Sequence, residues 1–300
     1  VFGDGKSLQK ILEVATDSNG DPQMRGQALL TLAENQFDNL LNLLNQQFND
    51  KQVRRYVIQA YAYCDAPEIS AKLVNQFSNL KPASQLATIN TLTKRKSWAM
   101  DLLLAVNKSQ IEKFHISAWH ARQIDNLGDE ELSKKLEATW GTVRKSTEEK
   151  NLEIQLVRKQ MSNIKADNID FEKGKVLFQK TCSNCHVLFG VGGTIGPDLT
   201  GGNRHDLGYL LENIVDPGSS VAQNFRTSIL NLVDGRTLTG VVLSQTENTL
   251  QLQTSEKIVS IARGDIEAIQ PTLNSLMPGG LLNSLDAGQR RNLIGYLLFN

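Results

Sequence analysis

The chain has 300 residues, enough for two or three domains, and its 40% apolar and 21% charged content is that of an ordinary globular protein. Lys plus Arg and Asp plus Glu number 32 each, a balance that excludes the strong basic field of a nucleic-acid or anionic-membrane binder. No apolar run reaches the roughly 18 residues of a spanning helix, so no transmembrane segment is expected in this chain. The opening residues Val1-Phe2-Gly3-Asp4-Gly5 read neither as a signal peptide nor as an initiator start, and a mature product or a fragment is expected.

From Gly5 to about Trp140 apolar residues recur every three and four positions, broken by short polar turns. Helix starts are expected after Asp50, at Asp65 with Pro67, and at Lys81-Pro82. Leu32, Tyr61, Leu92 and Ile124 fall at matching places near the ends of successive helices, 29, 31 and 32 residues apart. A second amphipathic helix is expected after each, over 39–48, 69–77, 98–106 and 132–140. Helix pairs at a period near 30 resemble stacked HEAT-like hairpins, in which each pair buries its apolar face against the next. An ordinary helical bundle is the alternative. Trp98, Trp119 and Trp140 read as core anchors, and Cys64 as a buried, inert thiol. His115 and His120 lie five apart and do not share a helix face at metal-ligand spacing, so surface or capping roles are expected.

Thr147 to about Ile164 reads as one longer helix, and the polar stretch Lys165-Ala166-Asp167-Asn168 as the boundary after it. Two domains are therefore expected, a helical repeat domain over 1–164 and a second domain over 165–300. The latter opens with a helix over Phe171 to Lys180 that runs into Cys182-Ser183-Asn184-Cys185-His186.

Two cysteines three apart followed at once by histidine form the attachment signature of a c-type haem. The thiols form thioethers to the haem vinyls, and the adjacent imidazole is an axial iron ligand. With 3 Cys and 4 His in the chain, chance placement yields this pattern on the order of 0.0004 times. A zinc site needs a second ligand pair, and Cys64 stands alone far upstream. A redox Cys-x-x-Cys follows a strand and opens a helix, whereas a helix ends here. One haem c, bound through Cys182 and Cys185 with His186 on the iron, is the expectation.

Gly174 and Phe178 on the preceding helix, with a C-terminal helix opened by Asp286, resemble the paired helices of a class I cytochrome c. Gly196-Pro197-Asp198-Leu199-Thr200-Gly201 resembles the loop that supports the proximal histidine in that family. The resemblance implies that the Pro197 carbonyl accepts the His186 Nδ1 proton, that Leu199 lies against the porphyrin, and that Arg204 binds a propionate. Candidates for the sixth ligand are Met277, His205, Met24, Met100, Met161, or none. Met277-Pro278 matches the family's distal Met-Pro, while His205 stands at a helix start where N-capping is the ordinary role.

Between a helix over 207–215 and Met277 the pattern alternates with period two. Strands are expected over 226–232, 237–244, 249–253 and 257–261, with Ile266 and Ile269 following and a turn at Asp234-Gly235. This β insertion at about 219–270 superficially resembles Sm-like RNA-binding barrels. It carries four cationic against five acidic residues, which disfavours an RNA role. The order of all these motifs resembles the Pirellula/Verrucomicrobium-type haem-binding domain, with Gly279 where that family carries a polar residue. The expected fold class is mainly α: an N-terminal HEAT-like α-solenoid, then a cytochrome c-like helical domain with a small antiparallel β insertion.

The resemblance implies a non-enzymatic electron-transfer cytochrome whose partner is a redox protein, a dehydrogenase polypeptide or domain docked on the helical repeats, with no nucleic acid. A haem peroxidase or gas sensor with a displaceable distal ligand, or a scaffold with structural haem, are the alternatives. Haem attachment to bacterial Cys-x-x-Cys-His follows export, so a periplasmic or outer-face location is expected.

Overall fold

The computed structural model describes residues 5–201 and 203–300. They form two compact units, one running to Ile116 and including His120–Trp140, the other holding Ser117–Trp119 and Gly141–Asn300.

The first part of the chain is a succession of short helices: α1 (Gly5–Thr16), α2 (Pro22–Glu34), α3 (Leu40–Gln47), α4 (Arg54–Ala60), α5 (Glu68–Gln76), α6 (Pro82–Leu92), α7 (Lys96–Asn107), α8 (Ala118–Asp125) and α9 (Glu130–Thr139). Their starts carry capping chemistry. Asp21 Oδ1 accepts from the Met24 amide ahead of Pro22, Asp129 accepts from the Leu132 amide, and α6 begins at Pro82. Helix α4 starts at Arg54, after a turn in which Asp50 Oδ1 accepts from the Gln52 amide. Alternate helices pack on one another, α2 on α4 and α4 on α6, α5 on α7 and α7 on α9. Leu32, Tyr61, Leu92 and Ile124 are all fully buried in these contacts. Each large apolar side chain so buried stabilises the unit by about 1.5–3 kcal/mol.

Several polar atoms carried into this core find partners. Tyr61 donates its hydroxyl to Asn45 Oδ1 (2.8 Å), and Trp140 Nε1 donates to the Ile116 carbonyl (2.7 Å). Trp98 is buried likewise, but Trp119 is only half-buried. Burial raises the Cys64 thiol pKa, which keeps it protonated and unreactive. His120 departs from its expected surface role. It is 1% exposed, its Nε2–H donates to Asn90 Oδ1 at 2.7 Å, and burial lowers its pKa from 6.5 to about 3.

The second unit opens with a strand, β1 (Gly141–Val143), and helix α10 (Glu148–Gln160). Both lie before residue 165, so the compact units part at Trp140 rather than at 164. The cause is long-range pairing. Strand β1 pairs antiparallel with β2 (Ser220–Ala222), and α10 packs on α12 (Leu207–Val215), with α11 (Phe171–Thr181) between them in the chain. Arg144 and the buried Asp216 reinforce that closure through two hydrogen bonds of 3.1 and 2.8 Å. Helix α10 is capped by Thr147 and ends at Gln160, one turn before the expected end.

Five further strands make one antiparallel sheet: β3 (Arg226–Leu232), β4 (Thr237–Gln245), β5 (Thr249–Gln253), β6 (Ile258–Ala262) and β7 (Ile266–Ser275), in the order β6-β5-β4-β3-β7. The register puts like faces together. Leu230 stands opposite Leu238 and Ile269, Leu252 opposite Val242 and Val259, and Leu250 opposite Ile261. These residues are the sheet's own apolar cluster. The chain ends with α13 (Ala287–Phe299), where Asp286 and Gln289 form a capping box.

The expected mainly α fold with a small β insertion is not what forms. The chain is 52% helical with 15% in strands, and its two antiparallel sheets include a five-stranded one with a core of its own. Each strand reads locally as a hairpin arm. The pairing of β3 with β7 and of β1 with β2 joins segments far apart in sequence, and period-two alternation does not specify such partners.

Helices α11 and α13 cross closely. A Cβ on Gly174 would stand 2.4 Å from the Asn292 carbonyl oxygen and 2.6 Å from Tyr296 Cβ, and the Phe178 and Tyr296 rings lie 5.9 Å apart. Gly174→Val should therefore cost about 1–3 kcal/mol by overpacking, read as a lowered denaturation midpoint of the haem-loaded protein. His120 makes a second prediction. Its folded pKa lies below the unfolded value, so the unfolded chain takes up the extra proton and stability falls as pH drops from 6.5 toward 3. The slope it adds is at most ~1.4 kcal/mol per pH unit. His120→Gln should flatten the stability profile between pH 6.5 and 5, where few carboxylates titrate.

Candidate functional site

Helix α11 positions the site. Asp170 Oδ1 accepts from the Lys173 amide at 3.0 Å to start it, and it ends at Thr181. The next turn is Cys182 to His186, with the amides of Cys185 and His186 both donating to the Cys182 carbonyl, at 3.1 and 3.0 Å. Both thiols are free and half-buried, and they stand about one turn apart. Burial, with the neighbouring Cys185 adding to it, pushes the Cys182 thiol up to about 12, and burial raises Cys185 as well.

The ring of His186 is held from one side. Its Nδ1–H donates to the Pro197 carbonyl at 2.8 Å, which leaves the Nε2 lone pair unused. Burial lowers the His186 pKa, partly offset by that carbonyl, so the ring favours its neutral form. Gly196 lies flat against the imidazole. A Cβ there would stand 2.4 Å from Cε1 and 2.8 Å from Nδ1.

The loop from Gly190 to Thr200 folds back over the cysteine turn and takes its carbonyls. Gly193 N–H donates to Ser183 O (2.8 Å), Gly196 N–H to Cys185 O (2.7 Å) and Leu199 N–H to Val187 O (2.9 Å). Side chains at 192 or 193 would collide with the carbonyls of His186 and Asn184, each at 2.1 Å from the built Cβ. Thr200 Oγ1 accepts from the Phe189 amide (2.8 Å), and Asp198 Oδ1 from the Thr200 amide (2.7 Å). Leu199 packs against the helical core of this unit. Gly192, Gly193 and Thr200 were not singled out as site residues from sequence, although three glycines within four positions after the motif signal a backbone that packs against backbone.

Arg204 stands elsewhere than at an open site. It is buried, and its guanidinium donates to the carbonyls of Leu297 and Asn300, both at 2.6 Å, with the Phe189 ring 5.1 Å away. Its place is the C-terminal end of α13, where a cation offsets the unsatisfied carbonyls. His205 joins it there, with Nδ1–H donating to Leu298 O at 2.5 Å, while Asp206 rather than His205 caps α12.

The methionines separate. Met161 is 1% exposed inside the helical core, whereas Met24 on α2 and Met100 on α7 belong to the first unit. Met277 lies after β7, half-buried, with its amide donating to Ser275 Oγ at 3.1 Å. Among the described residues no group of three or more His, Cys, Asp or Glu side chains could hold a metal ion.

A family model for cytochrome c matches residues 171–298. This stretch is a cytochrome c-like haem-binding domain, and the family's group is a haem c attached covalently through cysteine. Cys182 and Cys185 are the only cysteines within the match. A search of curated proteins found no match to the chain. The residues present fit the group. Two free thiols one turn apart and a neutral imidazole with Nε2 unused, its ring bare of side chain at Gly196, are the donor set that covalent haem requires.

Gly196→Ala should force the His186 ring off the Pro197 carbonyl. The expected result is a loss of about 1–3 kcal/mol of stability and an altered visible spectrum of the haem-loaded protein. A spectrum identical to the wild type would show that the ring tolerates a neighbouring methyl.

Proposed function

We propose that this protein is an electron-transfer cytochrome that exchanges electrons with a redox partner protein, a dehydrogenase polypeptide or domain docked on the helical first unit. The observation that carries this reading is the Nδ1 bond from His186 to Pro197 at 2.8 Å beside two free cysteine thiols. It commits one ring nitrogen to the protein and leaves the other for iron. When bound, the haem supplies a reversible one-electron iron couple. Cys182 and Cys185 fix its position, so orientation survives many turnovers. The Pro197 carbonyl raises the basicity of His186 and holds its angle, as outer partners of metal ligands do. Leu199 contributes an apolar wall that excludes water. Met277 is the sixth ligand in this reading, a neutral thioether that favours a higher reduction potential than a second histidine.

His205, whose Nδ1–H donates to Leu298 O, keeps its other nitrogen and stays the alternative that the Met277→Ala variant separates, whereas Met161 is enclosed in the core. Arg204, occupied by the α13 carbonyls, acts on the site by holding the end of that helix rather than through a propionate. The order of motifs from Cys182 through Met277-Pro278 supports a domain of the Pirellula/Verrucomicrobium type, and the alternating packing of α2, α4 and α6 supports HEAT-like repeats before it. Such repeats serve as docking surfaces. Attachment of haem c after export supports a periplasmic or outer-face location, and no helix of the described residues is long and apolar enough to cross a membrane.

Optical spectroscopy tests the assignment. The wild type should show a six-coordinate, low-spin ferric spectrum, and Met277→Ala should convert it to high spin and lower the potential by roughly 0.1 V or more within the ~0.8 V range that axial ligands span. A Met277→Ala protein with unchanged spectrum and potential removes Met277 from the iron. A wild-type protein that is high-spin and binds cyanide readily overturns the electron-transfer reading in favour of open-site chemistry.

A further inference from the structure

The five-stranded sheet hands the chain directly to Met277: β7 ends at Ser275, and Met277 follows two residues later. The pairing of β3 with β7 is regular from Asn231 opposite Ala268 to Ser228 opposite Pro271, and then it breaks. Arg226 stands opposite Ser275, so Thr272, Leu273 and Asn274 all face the single residue Thr227. A bulge of this kind bends its strand and re-aims the side chains that follow. Leu273 is pushed outward by it and is 54% exposed.

A pair of hydroxyls closes the gap in the ladder. Thr227 is 3% exposed, and its Oγ1 lies 2.6 Å from Oγ1 of the half-buried Thr272. Thr272 Oγ1–H donates to the Thr227 carbonyl at 3.2 Å, so Thr227 supplies the proton between the two hydroxyls, and its Oγ1 also reaches the Asn274 carbonyl at 3.3 Å. The Asn274 amide donates to Thr272 Oγ1 at 3.1 Å. Two side chains thus hold both main-chain groups of Asn274. The next residue, Ser275, accepts on Oγ from the Met277 amide at 3.1 Å. Beyond Met277 the chain is held less. Among the described residues Pro278 and Gly279 make no hydrogen bond, a Cβ on Gly279 would meet nothing within 4 Å, and the next main-chain bond runs from Asn283 N–H to Gly280 O.

A threonine pair across two strands is ordinarily a stabilising contact and no more. This one pins a bulge that ends at Met277, in a segment with little to fix it from the other side. We propose that Thr227 and Thr272 are positioning residues for the sixth ligand, and that their hydroxyls set how firmly Met277 stays on the iron. The inference rests on the reading of Met277 as that ligand. Loss of either hydroxyl frees the bulge and raises the fraction of ferric protein in which Met277 has left. An external ligand takes the iron only in that fraction, so its apparent affinity rises in proportion.

The test titrates imidazole into the ferric, haem-loaded protein and reads the visible spectrum. Thr227→Val keeps the shape of the side chain without its hydroxyl and should bind imidazole about tenfold more tightly than the wild type. Thr227→Ser restores the hydroxyl and should match the wild type. Thr272→Val, at the less buried partner, should shift the affinity in the same direction as Thr227→Val and serves where the buried substitution impairs folding. In a Met277→Ala background Thr227→Val should add nothing, because no ligand remains to be released, whereas a general loosening of the domain would still show. A Met277→Ala protein with the wild-type spectrum overturns the ligand reading and this inference with it. A Met277→Ala protein with an altered spectrum, beside threonine variants that bind imidazole as the wild type does, overturns the positioning role alone. So does a Thr227→Ser protein that behaves like Thr227→Val, or a Thr227→Val effect that persists without Met277.

Discussion

The crossing of α11 and α13 at Gly174 is the constraint on which the rest of the haem domain depends. With no side chain at 174, the backbone of one helix lies against Asn292 and Tyr296 of the other. Phe178 and Tyr296 then fill the space one turn on. Because Cys182 follows directly on α11, the same contact sets where the cysteine turn begins. Because Arg204 and His205 reach the last carbonyls of α13, it also sets where the loop after the motif is tied down. One close approach thus holds both ends of the segment that carries the chemistry.

Within that frame the site is built largely from backbone. The glycine loop donates amides to the carbonyls of the cysteine turn, and Pro197 uses a carbonyl to orient His186. A site of this kind is stiff, since main-chain hydrogen bonds carry no rotamer freedom. Stiffness suits a one-electron carrier, whose ligands should not rearrange between oxidation states. The first unit is built on a different plan, in which alternate helices pack on one another and buried polar groups such as Tyr61 and His120 each find a partner.

Much of this was legible in the residues. Helix starts at Pro82, Asp170 and Asp286 carry local chemistry, and the alternation over 226–232 or 249–253 reads directly as a strand. Such signals are short-range and survive without tertiary context. His120 was misjudged because one polar residue on a short helix looks the same whether its face meets water or a neighbour. The extent of the sheet was misjudged for a related reason, since the partner of β3 in β7 is chosen by burial of Leu230 against Ile269 rather than by any local turn. Arg204 reads in the sequence as a cation near a haem motif, and only the folded chain brings the last carbonyls of α13 within its reach.

By itself, then, the sequence determined the class of cofactor, the Pro197 carbonyl beside His186 and most element positions, because each depends on residues within a few turns of one another. The tertiary structure alone decided where the two units part, that the strands amount to a five-stranded sheet, and that Arg204 and His205 serve α13. Those outcomes rest on contacts between distant segments, whose energies come from burial and geometry that no local pattern encodes.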